Sequence, residues 1–292
     1  MKKVLEFKIS EKDAGKTIES YLKANEFSGK ILATLKRTDN TVLLNDEQAP
    51  LKTVLNEGDT LKVTILEKRE EQRIIPTEIP LDIIYEDDDV VVINKQADLP
   101  VHPSRRNYEH TLANALAYHY KDATSFHCIT RLDKDTSGLT LVAKNRYAAA
   151  ILSKQSRDKQ IDKEYLAIVS GLTDKSRLID APIYRPTASV KRCVDFENGV
   201  ESQTAYELVE YFPTKDISLV RLHPLTGRTH QIRVHMQYIN HPLIGDTLYN
   251  PENTLMNRQA LHAYKLRFTH PLTGTALEFT AEMPEDMKEV LK

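Results

Sequence analysis

Residues Arg131-Leu132-Asp133-Lys134-Asp135-Thr136-Ser137-Gly138 run directly into the apolar stretch Leu139-Thr-Leu-Val-Ala143. Thr136, Ser137 and Gly138 are turn formers, so the pattern predicts a tight loop feeding a strand, with the Asp133 carboxylate displayed beside the Arg131 guanidinium. Further strand-like runs fall at 83–85, 90–94, 165–169, 217–222 and 277–280, and they outnumber helical patterns at 111–120, 146–155 and 229–238. Strands that do not alternate strictly with helices favour an α+β fold over a doubly wound sheet.

Upstream lies a second, smaller unit. Thr17, Ile18, Tyr21 and Leu22 recur at helical spacing after Gly15, a second short helix is expected at 30–35, and a strand at 41–44. Leu61, Val63 and Ile65 alternate as a strand after the turn Glu57-Gly58-Asp59. Residues 67–80 are charged and then punctuated by Pro76 and Pro80, which reads as a linker. The expected domains are therefore 1–70 and 81–292, with residues 71–80 as the linker between them.

Composition sets outer bounds. The 292 residues exceed the usual single-domain size, and 40% hydrophobic content suffices for a sizeable core. Two cysteines, Cys128 and Cys193, cannot make a disulfide framework, no apolar stretch approaches the ~20 residues that span a bilayer, and Met-Lys-Lys-Val-Leu-Glu does not open a signal peptide. A soluble protein of the reducing cytoplasm, with no membrane contact, is expected. The net charge of −2 gives no global attraction to nucleic acid. Local basic points exist at Lys30, Lys36 and Arg37, at Arg105 and Arg106, at Lys191 and Arg192, and at Arg228 and Arg233, which a fold can gather onto one face. Taken singly, each also fits a solvated surface cation.

Several chemistries compete for the opening loop. Asp133 fits a plain turn or capping residue. The order Asp133-Lys-Asp135-Thr136 also suggests the paired carboxylates of a magnesium phosphotransferase, but Arg131 stands two residues before Asp133, where it repels a dication. His127 and Cys128 point to opposite faces of an extended segment and cannot pair as base and nucleophile, so Cys128 reads as a buried structural thiol. His230 and His235 are five apart on a predicted helix, not the i, i+4 spacing that aims two rings at one ion, and no metal site is expected.

The segment Cys128-Ile-Thr-Arg-Leu-Asp-Lys-Asp-Thr-Ser-Gly-Leu-Thr-Leu-Val-Ala-Lys144 resembles the signature of the RluA-type pseudouridine synthases. Blocks at Tyr85-Glu-Asp-Asp-Asp-Val-Val-Val-Ile-Asn-Lys95, Lys163-Glu-Tyr165-Leu-Ala-Ile-Val-Ser-Gly171, Thr226-Gly-Arg-Thr-His-Gln-Ile-Arg-Val-His235, His241-Pro-Leu-Ile-Gly-Asp-Thr-Leu-Tyr249 and Leu261-His-Ala-Tyr-Lys-Leu-Arg-Phe-Thr-His270 resemble that family in the same order. Two departures are visible. Thr130 stands where the family usually has His, and Lys95-Gln96-Ala97-Asp98 replaces Lys-Pro-x-Gly. The N-terminal order of helices and strands, with Val42-Leu-Leu-Asn45 and Gly58-Asp59, resembles the alpha-L RNA-binding motif.

The resemblance implies a largely antiparallel mixed sheet, preceded by a small α/β RNA-binding domain, and an isomerase that converts uridines of structured ribosomal or transfer RNA to pseudouridine. It implies no cofactor, since the reaction involves no redox change, and a monomer is expected. Asp133 is the implied nucleophile, with the route, attack on ribose or on the ring, left open. An opposite charge within a few ångströms favours an ionised carboxylate, and Arg233 is the candidate for that partner. Tyr165 is the implied active-site tyrosine and Arg131 the group that fills the space of a flipped uridine. Leu261 is expected as an apolar wall. Arg228, on the same predicted helix as Arg233, is assigned to phosphate or the loop, and Lys30, Lys36 and Arg37 to RNA shape and phosphates.

Overall fold

The computed structural model describes residues 2–66, 74–104, 107–121, 127–187 and 189–292. The first strand, β1 (Lys2–Lys8), is followed by α1 (Ile18–Ala24), α2 (Gly29–Leu35), β2 (Val42–Leu44), β3 (Glu47–Gln48) and β4 (Thr60–Leu66). Thr17 and Ser28 cap the two helices, each side-chain oxygen accepting an N–H three residues on. The strands form an antiparallel sheet in the order β1-β4-β2-β3. Ile18, Leu22, Ile31, Leu32 and Leu35 of the helices pack with Leu61, Val63 and Ile65 in one buried cluster. β1 alternates in burial but not in residue type, since its inward side carries Lys3 with Leu5 and Phe7 and its outward side carries Val4.

The main sheet begins with β5 (Ile83–Glu86) and β6 (Val90–Lys95), continues after α3 (Leu112–His119) with β7 (His127–Cys128) and β8 (Ser137–Ala143), and after α4 (Arg146–Arg157) with β9 (Asp162–Ser170). β10 (Ser176–Asp180), the hairpin of β11 (Ile183–Tyr184) and β12 (Cys193–Val194), β13 (Gln203–Phe212) and β14 (Ile217–Pro224) precede α5 (Gln231–Tyr238). β15 (Leu261–Thr269), β16 (Ala276–Thr280) and α6 (Glu285–Leu291) close the chain. The order is β10-β13-β14-β9-β15-β8-β6-β5, with β16 on β15 and β7 on β8. Among the described residues every pairing is antiparallel except β8 with β15, where Ser137 and Gly138 lie opposite His262 and Ala263. The fold is α+β with a largely antiparallel mixed sheet.

That parallel contact revises the reading of the opening loop. Ser137 and Gly138 are not turn residues but the first residues of β8; the turn falls at Lys134 and Asp135, closed by Thr136 N–H donating to the Asp133 carbonyl at 3.2 Å. Gly138 has φ +107°, and a Cβ there would lie 2.3 Å from the Ala263 carbonyl oxygen. Glycine is required by close approach of two backbones.

The two sheets meet at α4. The Tyr147 ring lies 4.6 Å from that of Phe27, within the N-terminal hydrophobic cluster, and its hydroxyl donates to the Asn25 carbonyl at 3.0 Å. Lys154 pairs with Glu26 at 2.6 Å, and Lys3 with Asp89 at 2.8 Å. Of the expected linker, residues 67–73 lie outside the described residues. Residues 74–80 carry no regular element but are tied to α3, where the Asn114 amide donates to the Ile75 carbonyl at 2.7 Å. Among the described residues no helix is long and apolar enough to cross a membrane.

Candidate active site

The Asp133 loop is pinned from behind by two cations, one buried and one half-buried, acting on backbone oxygens. Lys95, at the end of β6 and 1% exposed, donates from Nζ to the carbonyls of Gln96, Leu99 and Lys134 at 2.8, 2.9 and 3.0 Å. Arg258 donates to the Asp135 carbonyl at 3.1 Å. Burial pulls the Lys95 ammonium down to about 7, against the pull of the Asp135 charge. Three carbonyl acceptors use all three donors of its charged form.

From the other side, α5 presents Arg233. Its Nη1 donates to Asp133 Oδ2 at 3.0 Å, while Nε and Nη2 grip Asp246 at 2.7 and 2.8 Å. Asp246 is fully buried and also accepts the Leu248 and Tyr249 N–H groups. The Tyr249 ring lies 5.1 Å from the guanidinium. Burial opposes the Arg233 charge, but the Asp246 hydrogen bonds and charge, joined by Asp133, outweigh it and raise its pKa. A permanently charged fork thus spans one fully buried and one accessible carboxylate.

Between these elements opens a cavity of about 480 Å³. Asp133, 27% exposed at its side chain, stands in its wall. Tyr165 of β9 lines it, its hydroxyl pKa raised by burial and then by the Asp133 charge. Lys163, two residues earlier on β9, also lines it and is lowered by burial, with Asp162 opposing. Leu261 adds buried apolar surface, Arg131 is exposed in the wall, and His230 stands with its Nε2 3.8 Å from Asp133 Oδ2.

The structure corrects one placement. Arg228 lines the cavity but is not helical: α5 starts at Gln231, after His230 in a left-handed conformation, and Arg228 Nε donates to the Glu201 carbonyl at 3.3 Å. Helical spacing therefore does not relate Arg228 to Arg233. Lys30, Lys36 and Arg37 are exposed on and just after α2 and do not line the cavity, and Lys36 is 2.9 Å from Glu19. Arg105 and Arg106 lie outside the described residues. Cys128 donates toward the Thr130 carbonyl at 3.3 Å, and burial pushes its thiol up to about 11.

Two other groups of acids and histidine come together, Asp87 with Asp89 and His270, and Asp162 with Glu164 and His223. In the first, His270 Nδ1 accepts the Leu272 and Thr273 N–H groups, which leaves the proton on Nε2 facing Asp87, and Lys3 holds Asp89. In the second, Arg267 holds Asp162 at 3.0 Å. Both arrangements are explained by pairing within the chain.

The sequence model of the RNA pseudouridylate synthases matches residues 89–238, and that of the N-terminal domain of RluD ribosomal pseudouridine synthase matches residues 5–61. An uncharacterized RNA pseudouridine synthase of Bacillus subtilis is 38% identical over 281 residues, 94% of this chain and 98% of the relative. The chain belongs to the RNA pseudouridylate synthase family. Ribosomal large subunit pseudouridine synthase D of Haemophilus influenzae is 39% identical over 285 residues, covering 91% of this chain and 86% of that one. Human RNA pseudouridylate synthase domain containing 1 superposes with a TM-score of 0.61 at 28% identity, over 72% of this chain and 87% of that chain. The protein is an RluA-type pseudouridine synthase, an isomerase acting on uridines in RNA.

Within this synthase, the two departures from the family pattern have structural explanations. Thr130 is buried, and its hydroxyl accepts the Leu141 N–H at 2.8 Å, fastening the signature segment to β8. Asp98, in place of glycine, adopts φ +59° and pairs with Lys134 at 2.6 Å. Sequence reasoning missed the roles of Lys95, Lys163, His230, Asp246 and Tyr249, although all lie within the quoted blocks. Asp246 carried a signal: an acid directly after the apolar Pro242-Leu-Ile-Gly245 and so near a candidate arginine is an unusual core residue.

Proposed function

We propose that Asp133 is the nucleophile of this pseudouridine synthase, carried by one observation: its carboxylate stands in the cavity wall at 3.0 Å from a guanidinium already fixed by a buried acid. Pseudouridine formation breaks the C1′–N1 bond of a uridine, turns the base and rejoins it through C5. Asp133 holds one fragment while the base turns, by attack on the ribose or on the ring. Arg233 holds the Asp133 carboxylate in place through its Nη1 hydrogen bond at 3.0 Å, and Tyr165 stacks on the base and assists loss of the C5 proton. Leu261 supplies the apolar wall. Arg131, exposed and planar, fills the gap left by the flipped uridine, and Arg228 serves an RNA phosphate or the loop.

The substrate we assign is a uridine of structured ribosomal or transfer RNA. Large-subunit ribosomal RNA is the first to test, because the relative from Haemophilus influenzae is named for that subunit. The chain then works as a cytoplasmic monomer with an RNA-binding domain over 1–70, a linker over 71–80 and a catalytic domain over 81–292. Lys30, Lys36 and Arg37 contribute phosphate contacts. The test incubates the protein with unmodified ribosomal and transfer RNA and maps pseudouridine. Asp133→Asn should abolish product while leaving RNA affinity within a few-fold. Substantial product from that variant would remove Asp133 from the role.

A further inference from the structure

His230 has a left-handed backbone, φ +58°, at the start of α5, a conformation that histidine tolerates better than most residues. Its ring is set between two groups. On one side Nδ1 lies 3.1 Å from the Tyr249 hydroxyl oxygen; on the other Nε2 lies 3.8 Å from Asp133 Oδ2, on the cavity wall. The Tyr249 oxygen already accepts the Arg192 backbone N–H at 2.8 Å. A phenol has a single hydrogen, and with that oxygen already accepting, the hydrogen is directed to Nδ1. The His230 proton is then on Nε2, the nitrogen nearer the reacting carboxylate. Burial lowers the ring's pKa, opposed by the Asp133 charge and reinforced by Arg233 and Arg192.

The chemistry asks for such a donor whichever route Asp133 takes. If the C1′–N1 bond breaks on ribose attack, its electron pair leaves with the base and spreads over N1, O2 and O4. If the carboxylate adds at ring C6, the C5–C6 pair shifts toward O4. Both routes gather negative charge on a uracil carbonyl oxygen, and the charge disperses when C5 joins C1′, loses its proton and N1 gains one. A fixed N–H aimed at that oxygen stabilises the charged species more than the starting carbonyl. The donor keeps its proton throughout.

We propose that His230 is a catalytic hydrogen-bond donor of this site, presenting a neutral Nε2–H to the uracil carbonyl oxygen on which charge accumulates, and that Tyr249 is the positioning residue that fixes its tautomer. The proposal rests on Asp133 acting in this cavity. The test compares His230→Leu, which keeps bulk without a donor, with His230→Gln, whose amide places an N–H near the same point. Both carry similar backbone strain at a positive φ, so their difference isolates the donor. Single-turnover pseudouridine formation should fall about 10²–10³-fold in the leucine variant with RNA Kd unchanged, and recover most of that loss in the glutamine variant. Tyr249→Phe should lose a smaller factor, about tenfold. Independently of activity and of variant folding, ¹⁵N NMR of the histidine-labelled wild-type enzyme at neutral pH should show Nε2 protonated and Nδ1 bare for His230. Wild-type rates in the leucine variant, or an Nδ1–H or doubly protonated ring, would overturn the proposal. Full turnover in Asp133→Asn would instead defeat the reading of the site itself, and this proposal with it.

Discussion

Replacing Asp246 with Asn tests whether Arg233 is held or merely near. In the wild type the fork gives two charge-assisted hydrogen bonds, 2.7 and 2.8 Å, to a carboxylate with no solvent exposure. Removing one member of a buried ion pair costs about 3–5 kcal/mol, because the other charge stays buried. Asparagine keeps one acceptor oxygen and Asp133 remains as counter-charge, which puts the loss at the lower end, about 3 kcal/mol. At about 2–4 °C per kcal/mol for chains near this size, Tm should drop by roughly 6–12 °C by circular dichroism. Since Nη1 loses its fixed direction toward Asp133, kcat should fall on the order of 10²-fold while RNA Kd holds. Arg233→Met alone strands Asp246 and should cost as much or more. The Arg233→Met, Asp246→Asn double variant leaves no buried charge in the pair and should be less destabilised than the sum of the singles by about 2 kcal/mol, yet stay inactive. A Tm shift under about 2 °C together with wild-type kcat in Asp246→Asn would refute this account of the site.

Gly138→Ala should be among the most damaging small substitutions in the chain, at least about 4 kcal/mol or loss of soluble protein, because the added methyl meets the backbone of Ala263, which has no room to yield; a stable, active variant would contradict the close approach of β8 and β15. Thiol labelling of the native enzyme at pH 8 should modify exposed Cys193 and spare Cys128. With the Cys128 thiol pushed up to about 11, its labelling should rise as pH approaches that value and become rapid on denaturation, and prompt double labelling at pH 8 would contradict its burial. Tyr147→Ala should cost about 3 kcal/mol and make the N-terminal sheet the first part to lose hydrogen-exchange protection, whereas uniform protection would mean the two cores are independent.

The catalytic sheet was legible where burial is continuous or strictly alternating: β6 and β8 are buried along almost their whole length and read as apolar runs. β13 and β15 were not, because register shifts at Leu208/Glu210 and Ala263/Lys265 break the two-residue period. Arg233 could be named from sequence as a partner for Asp133, since both lie in recognisable blocks. The support beneath them could not. The three carbonyls around Lys95 are backbone atoms that no side-chain pattern encodes, and the tie from Arg192 through Tyr249 to His230 joins segments far apart in the chain. Arg228 was misplaced because helical spacing was extended through His230, whose positive φ delays the helix to Gln231.

The ring of Tyr147 lodged among N-terminal core residues changes what kind of appendage that unit is. A module hung on a chain searches a volume, and its benefit follows the polymer statistics of its tether. One that borrows part of its core from the neighbouring helix behaves as the fixed arm of a caliper, with Asp133, the proposed nucleophile, on the other jaw. Under the proposed role of α2, such an instrument accepts an RNA only where a backbone feature and a uridine stand the set distance apart, so target choice becomes a matter of span and shape more than of base sequence.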